Sequence, residues 1–105
     1  MKPDVDPSAL PGDWRRSPEE DTATEVVYRP ASYPFPPSRG RDALRLSADG
    51  TMIHAAVGAT DLHRHRQGRW RLEETVLHLD FDGDEGASRA LDLVDASPTR
   101  LAARR

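Results

Sequence analysis

Cysteine is absent from this chain of 105 residues, which removes a disulfide framework, a thiolate nucleophile and a thiolate metal site at once. Long apolar runs are absent as well, and nothing approaches the ~20 residues that cross a bilayer as a helix. The opening Met1-Lys2-Pro3-Asp4-Val5-Asp6-Pro7 has no apolar stretch to serve as a secretory signal. These absences lead us to expect a soluble cytoplasmic protein that engages no membrane. A surplus of positive charge is missing too. The formal charge is −3, whereas phosphate contacts need a local excess of cations, so a nucleic-acid partner is not expected. Asparagine does not occur and Lys2 is the only lysine beside many arginines, a bias that suggests a GC-rich bacterial genome and carries no functional clue. Helical periodicity is the last absence, because no long window repeats its apolar residues at the spacing of a helix.

What the chain has instead is alternation. Apolar residues make up 36% and charged residues 31%, which predicts one domain with a small core under a heavily charged exterior. Glu25-Val26-Val27-Tyr28-Arg29 is β-branched and aromatic, and Pro30 ends it. Leu44 and Leu46 alternate with Arg45 and Ser47, and the Asp49-Gly50 hairpin signal joins them to Met52–Val57. There Ile53, Ala55 and Val57 share one face, and Met52, His54 and Ala56 the other. A basic loop runs from Gly58 to Gly68. Trp70 and Leu72 then alternate with Arg69, Arg71 and Glu73, and Leu77, Leu79 and Phe81 with Val76, His78 and Asp80. An acidic turn at 82–86, a strand at Leu91 and Leu93, a turn at Ser97-Pro98 and a last strand at Leu101 and Ala103 complete the pattern.

Counting the segment at Trp14, this makes about eight short strands at regular spacing. We expect an all-β fold: a small antiparallel up-and-down barrel over residues 12–105, preceded by a flexible proline-bearing arm over residues 1–11. Inward candidates Val26, Leu44, Ile53, Trp70, Leu77, Leu91 and Leu101 are spread evenly over the strands. Closure buries such a set without a long exposed edge. A monomer or a homodimer is compatible with this, with Val26–Arg29 or Arg69–Glu73 as the edge that would pair.

Gly12-x-Trp14 at the entry to the first strand, with Arg100 at the start of the last, resembles the lipocalin-like (calycin) barrels. The resemblance implies that Trp14 closes one end of the barrel and that the Arg100 guanidinium packs across its indole. Thr60-Asp61 is similar to that family's threonine-aspartate-tyrosine motif, with Leu62 in place of the tyrosine. The chain is shorter than the usual lipocalin, which implies a smaller interior. Gly68-x-Trp70-Arg71 repeats the form of Gly12-x-Trp14-Arg15, for which coincidence is the plainer reading.

Several groups carry candidate chemistry. His63 and His65, with His54, His78 and Asp61, have the donor types of an open zinc site, but Arg64 and Arg66 oppose a dication and we expect no metal. Asp80-x-Asp82-x-Asp84 begins like a calcium loop. It lacks the glycine at the sixth position, where Glu85 stands, and the glutamate at the twelfth, where Leu91 stands. Arg64, Arg66, Arg69 and Arg71 form the densest cationic run, a solvated face or a patch for phosphate, carboxylate or an acidic partner. Pro34-x-x-Pro37-x-Arg39 has the form of a polyproline ligand, but an internal use of Tyr33 and Phe35 at one end of the barrel is preferred. No nucleophile elbow or phosphate loop occurs, and the adjacent Glu73 and Glu74 would point to opposite faces of a strand.

The expectation is therefore a binding protein, not an enzyme, with no cofactor. Its ligand is expected to be a small, partly apolar molecule, bound by Tyr33, Phe35, Arg39 and Arg41 at the mouth with Tyr28 and Trp70 as walls. The competing expectation is a solid barrel that acts on a protein partner through its surface, as the resemblance implies through calycin-type protease inhibitors that use an N-terminal arm.

Overall fold

The computed structural model describes residues 4–37, 41–55, 65–82 and 88–104. Nine strands form one sheet: β1 (Asp4–Val5), β2 (Gly12–Arg16), β3 (Glu25–Pro30), β4 (Ala43–Leu46), β5 (Thr51–Ala55), β6 (His65–Glu73), β7 (Val76–Phe81), β8 (Ser88–Ser97) and β9 (Arg100–Arg104). Strands β2 to β9 pair antiparallel all the way round, and β8 pairs with both β7 and β9, so the sheet closes into an eight-stranded barrel. The expected small antiparallel barrel is therefore what forms. From β4 to β9 each strand pairs with the next. At the start the order differs, because β2 lies between β3 and β4 and the chain leaving β3 crosses over β2 before entering β4. Neither stretch expected as a free edge is one, since β3 lies between β2 and β9 and β6 between β5 and β7.

The inner surface follows from register. Trp14 is paired with Leu44, Leu44 with His54, and His54 with Arg66, so these four side chains share the inner face. One step further down, Leu46, Met52, Gly68 and Phe81 form the next inward row. Leu77, Leu79, Leu91, Leu93, Leu101 and Ala103 fill the rest of the core, with Val26, Trp70 and Leu72 packed against it. Ile53 is a correction. It is opposite Arg45 and Gln67 on the outer face, and Met52 takes the inward place. Both faces of β5 carry apolar residues, so alternation alone leaves its sidedness open. The turn sets it. Ser47 N–H donates to the Thr51 carbonyl, Gly50 takes φ +92°, and the Asp49 carboxylate accepts from Thr51 N–H and Oγ1–H, which brings Leu46 opposite Met52.

We call the end bearing the turns after β4, β6 and β8 the lower end, and the end where β2, β5, β7 and β9 finish the upper end. The lower end is stoppered by the N-terminal segment. Its described part, 4–11, is docked on the barrel instead of forming a loose arm. Asp4 and Val5 pair in parallel with Asp95 and Ala96, a 3₁₀ turn at Pro7–Ala9 is capped by Asp6, and Leu10 is completely buried. The Trp14 indole N–H donates 2.9 Å to the Leu10 carbonyl, and Trp70 donates 2.8 Å to the Ser47 carbonyl at the same end. The physical reason is burial. Two apolar residues among the prolines, Val5 and Leu10, cover a core that a short barrel cannot close by itself.

Two substitutions test this packing. Trp14 is 2% exposed, so Trp14→Ala is expected to cost about 3–5 kcal/mol in urea unfolding; a cost below about 1 kcal/mol would place the ring outside the core. At Gly68 a Cβ would run into the Asp80 carbonyl of the neighbouring strand and come within 3.0 Å of the Met52 methyl. Gly68→Ala is expected to destabilise by about 1–3 kcal/mol or more, with a lowered melting temperature.

Candidate functional site

Tyr33, Phe35 and Arg41 are brought together, but on the outer wall. Four prolines between Pro30 and Pro37 withhold backbone donors, so the crossover from β3 to β4 cannot pair as a strand. Side chains hold it instead. The Tyr33 and Phe35 rings meet edge to face at 5.0 Å, the Arg29 guanidinium lies 4.8 Å over Tyr33, and the Arg41 guanidinium 4.4 Å over Phe35. Arg29 is on the outward register of β3, opposite Arg15, which places this stack outside the barrel. Each arginine is tied to a glutamate of the 3₁₀ turn Pro18–Glu20. Arg29 donates to both Glu20 oxygens at 2.8 and 2.6 Å, and Arg41 to both Glu19 oxygens at 2.7 and 2.5 Å. Arg41 also reaches the Arg16 and Pro36 carbonyls. Glu19 and Glu20 on a turn, with Arg29 and Arg41 flanking a proline-rich segment, were the available sequence signal for this clasp.

The inner face of the upper end is polar. Strands β6 and β8 begin earlier than alternation of leucine and tryptophan suggests, and their extension at period 2 carries Arg66 and Arg89 inward. Arg66 is opposite His54 and its guanidinium lies 4.3 Å over the Phe81 ring; His54 meets Phe81 edge on at 6.2 Å. Arg89 is opposite the buried Leu79 and exposed at the rim. Tyr28 is inward opposite Leu101, with the Arg16 guanidinium 5.3 Å over its ring. Arg16 is committed to Asp21 by two bonds of 2.9 and 2.6 Å, and donates to the Val27 carbonyl as well. Asp21 in turn accepts from Val27 N–H, closing the end of the β2–β3 ladder. Asp42 enters β4 beside this group and its carbonyl accepts from Arg16 N–H.

The electrostatics of this end follow. Burial, then the Arg89 charge, pulls the His54 imidazole below its ordinary value, against Asp42 and with a further push from Arg66, so His54 is neutral at pH 7. Burial raises the Tyr28 phenol, keeping it a neutral hydrogen-bonding group. The described inward charges are then Arg66 and Arg89 against Asp42, with Arg16 matched by Asp21.

The other expected site residues divide. Trp70 is inward but at the lower end, held by Ser47, away from Phe81 and His54. Arg39, the Thr60-Asp61-Leu62 motif, His63 and Arg64 lie outside the described residues. His78 is on the outer face opposite Arg71, 3.8 Å from Glu73, so the barrel wall separates it from His54. The cationic run divides as well, with Arg66 exposed on the inward register and Arg69 and Arg71 on the outer face. The Arg100 guanidinium lies on Asp95 at 2.8 Å, not over the Trp14 ring. Arg16, Asp42 and Arg89 were not found by sequence reasoning; Arg89, two residues before Leu91, carried a period-2 signal. No protein-family model, no curated protein and no solved structure matches this chain.

The clasp sets an acid limit. The hydrogen-bonded Arg41 holds the Glu19 carboxyl down to about 2, and Arg29, helped by Ser17, holds Glu20 down to about 2. Both contributions to stability are complete above the ordinary value of 4.5 and are lost as the pH falls towards 2. Urea midpoints should therefore fall across that window, and a Glu19→Gln, Glu20→Gln variant, less stable at pH 6, should show a flatter profile there.

Proposed function

We propose that this chain is a non-catalytic, lipocalin-like binding protein that takes a small, partly apolar molecule with an anionic group into the upper end of its barrel. The observation that carries the reading is the change of lining along the barrel axis. Leucine, methionine and tryptophan fill the lower and middle levels, while His54, Arg66 and Arg89 occupy inward positions above them beside Phe81 and Tyr28. An aromatic floor with a few convergent polar groups is the usual design of a small-molecule site. Guanidinium groups suit a carboxylate, which favours an anionic group on the ligand. The lipocalin-like assignment draws on the closed barrel and on Trp14 at its lower end.

Both tryptophans are at the other end, so the His54 imidazole is the better reporter. Titration with 2-naphthoate, followed by NMR, is expected to move the His54 and Phe81 ring signals and to raise the His54 pKa, because a neighbouring anion favours imidazolium. Arg89→Ala should weaken binding about tenfold, as loss of a charge-assisted hydrogen bond does. Absence of any shift at His54 or Phe81 with naphthoate, the neutral naphthamide and medium-chain fatty acids alike would overturn the proposal.

A further inference from the structure

The outer wall carries a second feature, separate from the upper end of the barrel. Across β2, β4 and β5 two outward rows run side by side: Asp13, Arg45 and Ile53 in one, Arg15, Ala43 and Ala55 in the other. Together they line an open groove of about 210 Å³. Its floor is apolar and half-buried, formed by Ile53 and the two alanines, whose short side chains leave the depression between longer neighbours. Its rim is cationic, and the cations are incompletely matched. Arg15 and Arg45 both approach the same oxygen of Asp13, at 3.3 and 3.4 Å, each with a single long contact. Three arginines elsewhere differ. Arg16, Arg29 and Arg41 each hold both oxygens of a carboxylate of their own, at 2.5 to 2.9 Å. One carboxylate shared by two guanidiniums leaves a positive excess and unused N–H donors beside an apolar floor.

We infer that this groove docks an acidic-aliphatic peptide segment of a protein partner, an aliphatic side chain lying on Ile53, Ala43 and Ala55 while an adjacent carboxylate bridges Arg15 and Arg45. Charge complementarity selects the acid. The groove is smaller than the roughly 300–1,000 Å³ of a pocket that encloses a free small molecule, which favours a side chain delivered by a larger partner. All three strands already pair on both sides, so recognition runs through side chains and not through an added strand.

The test is an NMR titration of the full chain with the pentapeptide Leu-Glu-Val-Asp-Leu, blocked at both ends, against its neutral counterpart Leu-Gln-Val-Asn-Leu. The acidic peptide is expected to shift the Ile53 methyl and the Arg15 and Arg45 Nε–H signals while leaving His54 and Phe81 unmoved. Arg15→Gln with Arg45→Gln should weaken it at least tenfold without changing the melting temperature by more than a degree or two. Asp13→Asn should tighten it, since the competing internal carboxylate is gone, and a purely structural role for these arginines would not produce that. Equal shifts from the neutral peptide, retention of binding in the double arginine variant, or no shift at millimolar acidic peptide would each overturn the inference. An Ile53 shift that depends on protein concentration alone would overturn it too, in favour of a second copy of the chain as the occupant.

Discussion

Strand β8 hydrogen-bonds to β7 along Ser88–Asp92 and to β9 along Leu93–Ser97, with a register irregularity between Leu93 and Asp95 where it changes neighbours. A flat strand could not serve both. The irregularity adds the local bend and twist that let a sheet of short strands curl until its ends meet. Everything else depends on that closure. It removes the open edges, makes one face of every strand an interior, and gives the two ends of the tube different jobs. It also gives the N-terminal segment a place, because β1 adds onto β8 just beyond the bend and brings Val5 to the core.

The two ends are then built by opposite means. At the lower end the orphan groups are backbone carbonyls, and the two indoles satisfy them with buried or half-buried N–H donors while Leu10 seals the gap. At the upper end side chains meet as charge, imidazole and phenol. Between the two the core is aliphatic, with no buried side-chain polar atom left unpaired among the described residues. The crossover of β3 to β4 adds a third construction on the outside, in which aromatic rings, guanidiniums and glutamates replace the hydrogen bonds that proline denies the backbone.

Much of the fold was legible because alternation of period 2 is a local signal. Leu44 and Leu46, Leu77 and Leu79, and Leu91 and Leu93 each mark a half-buried strand without reference to any other part of the chain. Where both faces were apolar the signal failed, and Ile53 and Met52 exchanged places. Where the inward residue was charged it failed differently, since Arg66 and Arg89 look like loop residues until β6 and β8 are extended through them. The candidate site suffered most. Tyr33, Phe35 and Arg41 were expected together at the mouth, yet they meet on the outer wall, a side set by the outward register of Arg29 that no local pattern contains. Residues 4–11 were discounted on their prolines, although Leu10 becomes one of the most deeply buried side chains.

Side-chain alternation and turn chemistry act over a few residues, and they were enough to set the strands, most of their turns and the all-β class. Which of two apolar faces turns inward, which arginines meet a ring or a carboxylate, and which strand crosses which emerge only once the strands pair. Those outcomes depend on register and closure, and register is a relation between segments far apart in the chain, as between Asp4 and Asp95 or Glu25 and Arg104.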